Sequence, residues 1–168
     1  MVTPEFAVTM ARYNRWQNRS VIAAAQGLTD ADRWQDRGAF FRSIAETLNH
    51  VLWDDRIWLA RLRGDHRAVA DIAPRHPYTD APADWSDYVA QRGALDEEII
   101  AWVDLLKPDD FSTMIAWQRG NEPVHTTLGF NFVHMINHQT HHRGQVHLML
   151  TQAGAKTGST DLPMLDSD

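Results

Sequence analysis

The sequence predicts an all-α fold, four long helices packed as an antiparallel bundle, with a small β-hairpin ahead of the last helix. Three observations lead there. Start and stop signals bracket four long segments, each segment carries apolar residues at helical spacing, and the connections between them are of mixed length.

Helix one opens at Thr3-Pro4-Glu5, a cap residue, a proline at the first helical position and an acid in the first turn. It meets no breaker until Gly27 and is read as roughly 3–26. A turn around Thr29-Asp30-Ala31-Asp32 leads to Gly38. Ser43-Ile44-Ala45-Glu46 then matches a capping box and opens helix two, roughly 43–63, which ends near Gly64. Its apolar stripe is Ile44, Leu48, Val51, Leu52, Trp58, Leu59 and Leu62. Residues 65–83 hold Pro74, Pro77 and Pro82 without periodicity, which predicts a long irregular connection able to cross the bundle. Asp84 caps helix three, roughly 84–106, stopped by Lys107-Pro108. Between 111 and 128, β-favouring residues flank Gln118-Arg119-Gly120-Asn121, the signal for the hairpin. Helix four, roughly 128–153, stops at Gly154, and the tail after Gly158 is expected to be a loosely packed strap.

At 168 residues the chain has the size of one domain, 1–168, and 43% hydrophobic with 23% charged residues is ordinary globular composition. A net charge of -6 argues against nucleic acid, whose affinity comes from Lys and Arg neutralising phosphates. No apolar run approaches the ~20 residues of a bilayer span, and the first residues lack the order of a signal peptide. The expectation is a cytoplasmic protein without membrane or nucleic-acid partners. There is no Cys, which removes disulfides, thiolate ligands and thiol nucleophiles and leaves His, Asp and Glu as metal ligands.

Five of the nine His crowd into helix four, in NFVHMINHQTHHRGQVHLML. Residues four apart lie above one another on a helix, so His134, His138 and His142 form one column. An i, i+4 pair is the usual helical way to present two imidazoles to one ion, and His138 with His142 is the pair of choice. A third ligand must come from a facing helix, for which His50 is the candidate. Helix periodicity alone does not support it: His50 lies off the main apolar stripe, on a second face with Thr47, Trp53, Asp54 and Ile57.

Three stretches, YNRWQNRSVIAAA, FFRSIAETLNHVLWDDRIWLARLRG and HMINHQTHHRGQVHLMLTQAG, together resemble the DinB/YfiT-like superfamily of metal-binding four-helix bundles. The most specific is His-x-x-His-His-Arg-Gly-Gln in the last helix. The error-prone DNA polymerase that shares the name is unrelated. The resemblance implies an up-down-down-up bundle, commonly a homodimer, holding one divalent ion such as zinc or nickel on His50, His138 and His142. Relatives of this fold include bacillithiol-dependent S-transferases and a mycothiol-dependent maleylpyruvate isomerase. Fold alone does not name the substrate.

Three imidazoles leave coordination positions open, the layout of a catalytic site. A metal there activates water or a low-molecular-weight thiol against an electrophilic small molecule; with no Cys, a sulfur nucleophile has to come from a cosubstrate. The alternative is a non-catalytic metal-binding stress-response or sensor protein using the same residues. Zinc is the first expectation and nickel the second, with release as pH falls below about 6. No catalytic residue is assigned. Around the ligands, Asp54 is read either as orienting His50 or completing the site, or as a solvated acid paired with Arg61 or Arg15. His134 and His141 flank the pair, and Gln145 follows His142 by three residues. Gly144 is read as a close-packing position, Arg143 as a structural cation reaching carboxylates, and Trp16 as core. His66, His76, His125 and His147 receive no role.

Overall fold

The computed structural model describes residues 2–74 and 82–165. Helix α1 (Pro4–Gln26) starts as its sequence dictates: Thr3 Oγ1 accepts the Phe6 N–H at 3.2 Å, with Pro4 and Glu5 in the first turn. Thr29-Asp30-Ala31-Asp32 forms more than a turn. Thr29 and Asp32 close a reciprocal capping box, and five residues become helix α2 (Asp30–Trp34). At the start of α3 (Ile44–Leu62), Ser43 Oγ accepts the Glu46 N–H at 3.1 Å and donates to the Glu46 carboxylate at 2.8 Å.

The connection that follows is not wholly irregular. Asp65 caps a seven-residue helix α4 (His66–Ile72), whose Val69 and Ile72 pack on the core while Trp53 Nε1 donates to the Ile72 carbonyl at 3.2 Å. Tertiary docking holds a helix too short to be stable alone. The stretch of the connection expected to cross the bundle, 75–81, lies outside the described residues, as does His76. Helix α5 (Trp85–Val103), capped by Asp84, ends three residues earlier than expected, and a 3-10 turn (Pro108–Ser112) precedes the hairpin.

Strands β1 (Met114–Arg119) and β2 (Glu122–Thr127) pair antiparallel, Arg119 opposite Glu122. Gly120 takes a φ of 61° at the first loop position, the reason a glycine belongs in so tight a turn. Thr127 caps α6 (Leu128–Gln152), and Gly154 follows its end with a φ of 78°. The tail is tied down: Tyr13 Oη donates to the Thr160 carbonyl at 2.7 Å and Gln17 Nε2 to that of Ser159 at 2.9 Å.

Helix α3 is the central element, packed against α6, α5, α2, α4 and β1, while α1 packs against α5 and α6. Accordingly it buries residues nearly all round, among them Thr47, Asn49, Asp55 and Ile57 outside the main stripe. Phe132, Met135, Val146 and Leu150 of α6 meet Ile44, Leu52 and Ile57 in a core without solvent.

Through that core runs a polar network that joins the four long helices. Arg92 (α5) pairs with Asp55 (α3) at 2.5 Å and with Asp96 at 2.9 Å, and Asn18 (α1) donates to Asp96 at 2.9 Å. Gln139 (α6) donates to the second Asp55 oxygen at 2.9 Å, and Arg143 links Gln139 at 2.9 Å to Asn14 at 2.7 Å. Burial pushes the Asp55 carboxyl up to about 6 against the pull of Arg92, while Arg92, set between two carboxylates, is held firmly protonated. Arg143 thus bonds amide oxygens, not the carboxylates expected for it. Trp16 is only half buried, and Gly144 faces open space rather than a packed helix.

Candidate metal centre

Consecutive residues on a helix point about 100° apart. On α6, His138 and His142 therefore form one column and Gln139 and Arg143 the next; on α3, Asp54 faces one way and Asp55 the other. The second column builds the polar network. The first meets His50.

His50, His138 and His142 place one ring nitrogen each within 4.8 Å of the others. His50 Nε2 and His138 Nε2 are 3.1 Å apart, and the ring centroids of the three lie 4.4 to 5.0 Å from one another. Asp54 Oδ2 lies 3.0 Å from His138 Nδ1, in an ion-pair contact whose atoms find no aligned hydrogen bond among the described residues. Gln145 Oε1 is 2.8 Å from His142 Nδ1, and its amide nitrogen is 3.2 Å from His141 Nε2. Acceptors at both Nδ1 atoms favour the tautomer with Nδ1 protonated and Nε2 bare.

This arrangement fits a metal. An ion with Zn–N bonds of about 2.0–2.1 Å sets tetrahedral ligand nitrogens about 3.3–3.4 Å apart. The 3.1 Å approach of His50 to His138 is close to that spacing. Bare nitrogens so close repel unless a proton or a cation lies between them, and protonation is resisted. Burial, then His142, His50 and the other imidazoles nearby, lower His138 to about 3; burial lowers His142 as well. Asp54 moves the opposite way, to about 7, through burial first and then the charge of Asp55.

The three predicted ligand positions are brought together. His50 needed the broad burial of α3, which the apolar stripe did not reveal. Asp54 is neither a solvated acid nor a partner of His50: it contacts His138, and Arg61 acts on it only through charge. Arg15 pairs elsewhere, with Glu97 at 2.9 Å. Gln145 reaches His142. His141 stands edge-on to His142 at 4.8 Å, whereas His134 turns to Trp58, edge-on at 4.7 Å, with its ring 6.3 Å from that of His138.

One neighbour went unread in the sequence. Phe41 stacks on His50 at 3.9 Å and lies 5.3 Å from His142, shielding one side of the centre. It is aimed by a tight loop: Arg42 adopts a φ of 62°, rare outside glycine, and its main chain bonds Ala39 and Arg37 at 2.8 Å each. The Phe40-Phe41 pair just ahead of the Ser43 cap was the available signal, since consecutive aromatics in a loop need something to pack on.

Comparison with known proteins agrees with these features. The chain is 26% identical over 162 residues to the protein DinB of Bacillus subtilis (strain 168), an alignment covering 94% of this chain and 91% of that one. The family model described as DinB family matches residues 1–167. The protein belongs to the DinB family.

Proposed function

We propose that the protein binds one divalent transition metal through His50, His138 and His142, zinc first and nickel second, and uses it on a small electrophilic substrate. The observation that carries the reading is the convergence of three imidazole nitrogens, two of them backed at Nδ1 by Asp54 and Gln145, with no fourth protein ligand in the cluster among the described residues. Bound there, such an ion supplies Lewis-acid chemistry, bringing a low-molecular-weight thiol or water toward its anion at neutral pH.

The chain's own residues do the rest. Asp54 orients His138 and keeps its Nε2 aimed inward, and Gln145 does the same for His142. Phe41 keeps water from one side of His50. With no Cys in the chain, thiol chemistry requires a cosubstrate of the bacillithiol, mycothiol or glutathione kind. The same reading takes the four long helices as an up-down-down-up bundle and the working unit as a cytoplasmic homodimer, which predicts a solution mass twice the chain's 19.2 kDa.

The test combines elemental analysis of protein purified with and without added metal with a panel of the three thiols and electrophilic acceptors. One equivalent of metal, turnover with one thiol or with water, and loss of both in His138→Ala are the expected result. Metal bound without turnover under any thiol assigns the chain to the non-catalytic alternative. No metal bound by the folded protein overturns the reading.

A further inference from the structure

Away from His50, His138 and His142, α3, α4 and the hairpin border an open cavity of about 560 Å³, within the range of small-molecule sites. Among the described residues its wall contains no Asp or Glu, which is unusual for a chain of net charge -6. It presents instead Arg61, His66, Trp117 and His125 beside apolar Val69 and Pro123.

Arg61 stands apart from the ion-paired arginines. Arg15, Arg33, Arg63 and Arg92 each pair with a carboxylate. The Arg61 guanidinium lies 4.7 Å from the Trp58 ring and 5.0 Å from the Trp117 ring, and makes no hydrogen bond or ion pair among the described residues. Two donors of this wall, Arg61 Nε and Trp117 Nε1, are buried without an acceptor. Asp54 acts on Arg61 through charge without bonding it, and a half-buried cation whose donors stay unused is costly unless an anion completes it. The two indoles stand edge to face with their centroids 5.1 Å apart, so the guanidinium sits at the corner between them, and its fork of N–H donors matches a planar carboxylate bidentately.

We propose that this cavity binds the carboxylate of a small organic acid, with the charge held by Arg61 and the apolar body against Val69 and Pro123. The site does not depend on a metal at His50, His138 and His142, so metal-stripped protein serves as well as loaded protein.

Phenylacetate titrated into the folded protein, read by tryptophan fluorescence and calorimetry, tests this directly. Saturable binding is expected, with phenylacetamide at least about tenfold weaker, because it lacks the charge that Arg61 pairs with. Arg61→Gln should weaken phenylacetate by about tenfold or more. Ala116→Phe, which plugs the cavity from the exposed face of the hairpin and leaves Arg61 in place, should abolish binding even if the first variant folds poorly. Arg19→Gln, at the surface of α1, should bind as wild type. The proposal is overturned by absence of saturation at about 10 mM, by equal affinity for acid and amide, by undiminished binding in both cavity variants, or by a preference for inorganic phosphate over the carboxylate.

Discussion

Asp54 and Asp55 are consecutive on α3 and serve different machines. Both are buried carboxylates pushed upward, to about 7 and about 6. Asp55 meets a guanidinium and an amide, one on each carboxylate oxygen. Asp54 meets the imidazole of His138, with Trp58 and the charge of Arg61 also acting on it, and the far nitrogen of that imidazole is directed at His50. The same alternation recurs on α6, where His138 and His142 face the open cluster and Gln139 and Arg143 the closed network. One residue of helical rotation separates a region whose charges pair with each other from a region where three imidazoles converge.

Breaking the closed region should have the largest effect. Arg92→Leu strands Asp55 and Asp96 in the core, and denaturant unfolding should show a loss of about 3–5 kcal/mol, with the metal stoichiometry of the surviving folded fraction unchanged. A loss under about 1 kcal/mol would mean that the carboxylates simply take up protons. Asp54→Asn should do the reverse: competitive chelator titration should show metal affinity down about 10–100-fold, the usual cost of removing a carboxylate behind a ligand imidazole.

The pH dependence of the metal-free protein sharpens the contrast further. Asp54 is raised and so binds more proton folded than unfolded between about 4 and 7; His138 is lowered and binds less between about 3 and 6.5. Over the shared window the two offset, the proton of an unfolded His138 residing on the folded Asp54. Asp54→Asn removes one half of that exchange. Its metal-free stability should therefore fall more steeply than wild type as pH drops from about 6.5 toward 4, since the unfolded chain then takes up a proton that the folded His138 refuses. Parallel stability curves for the two proteins would refute the exchange. The smallest effect is reserved for Gln145→Ala, where a neutral amide leaves His142; metal affinity should drop by no more than about tenfold.

Local chemistry was readable wherever it is encoded within a turn or two. The caps at Thr3, Ser43 and Asp84, the Gly-Asn turn of the hairpin and the stop at Gly154 are each set by neighbours a few residues away. The His138–His142 pair was readable for the same reason. Helix α4 was missed because nothing local sustains seven residues; Val69, Ile72 and Trp53 stabilise it through the core. The polar network was missed because apolar periodicity marks Asn14, Asn18, Asp55, Arg92 and Gln139 as surface, and only mutual pairing allows their burial.

By itself, then, the sequence determined the long helices, their ends and the column of imidazoles on the last one, since these follow from backbone hydrogen bonding and the helical repeat. Which carboxylate serves which region, the joining of His50 to the column and the placing of Phe41 over it were decided by the tertiary structure. The reason is geometric: a helix fixes where its own side chains point, but only the packing of α3 against α6 determines what they meet.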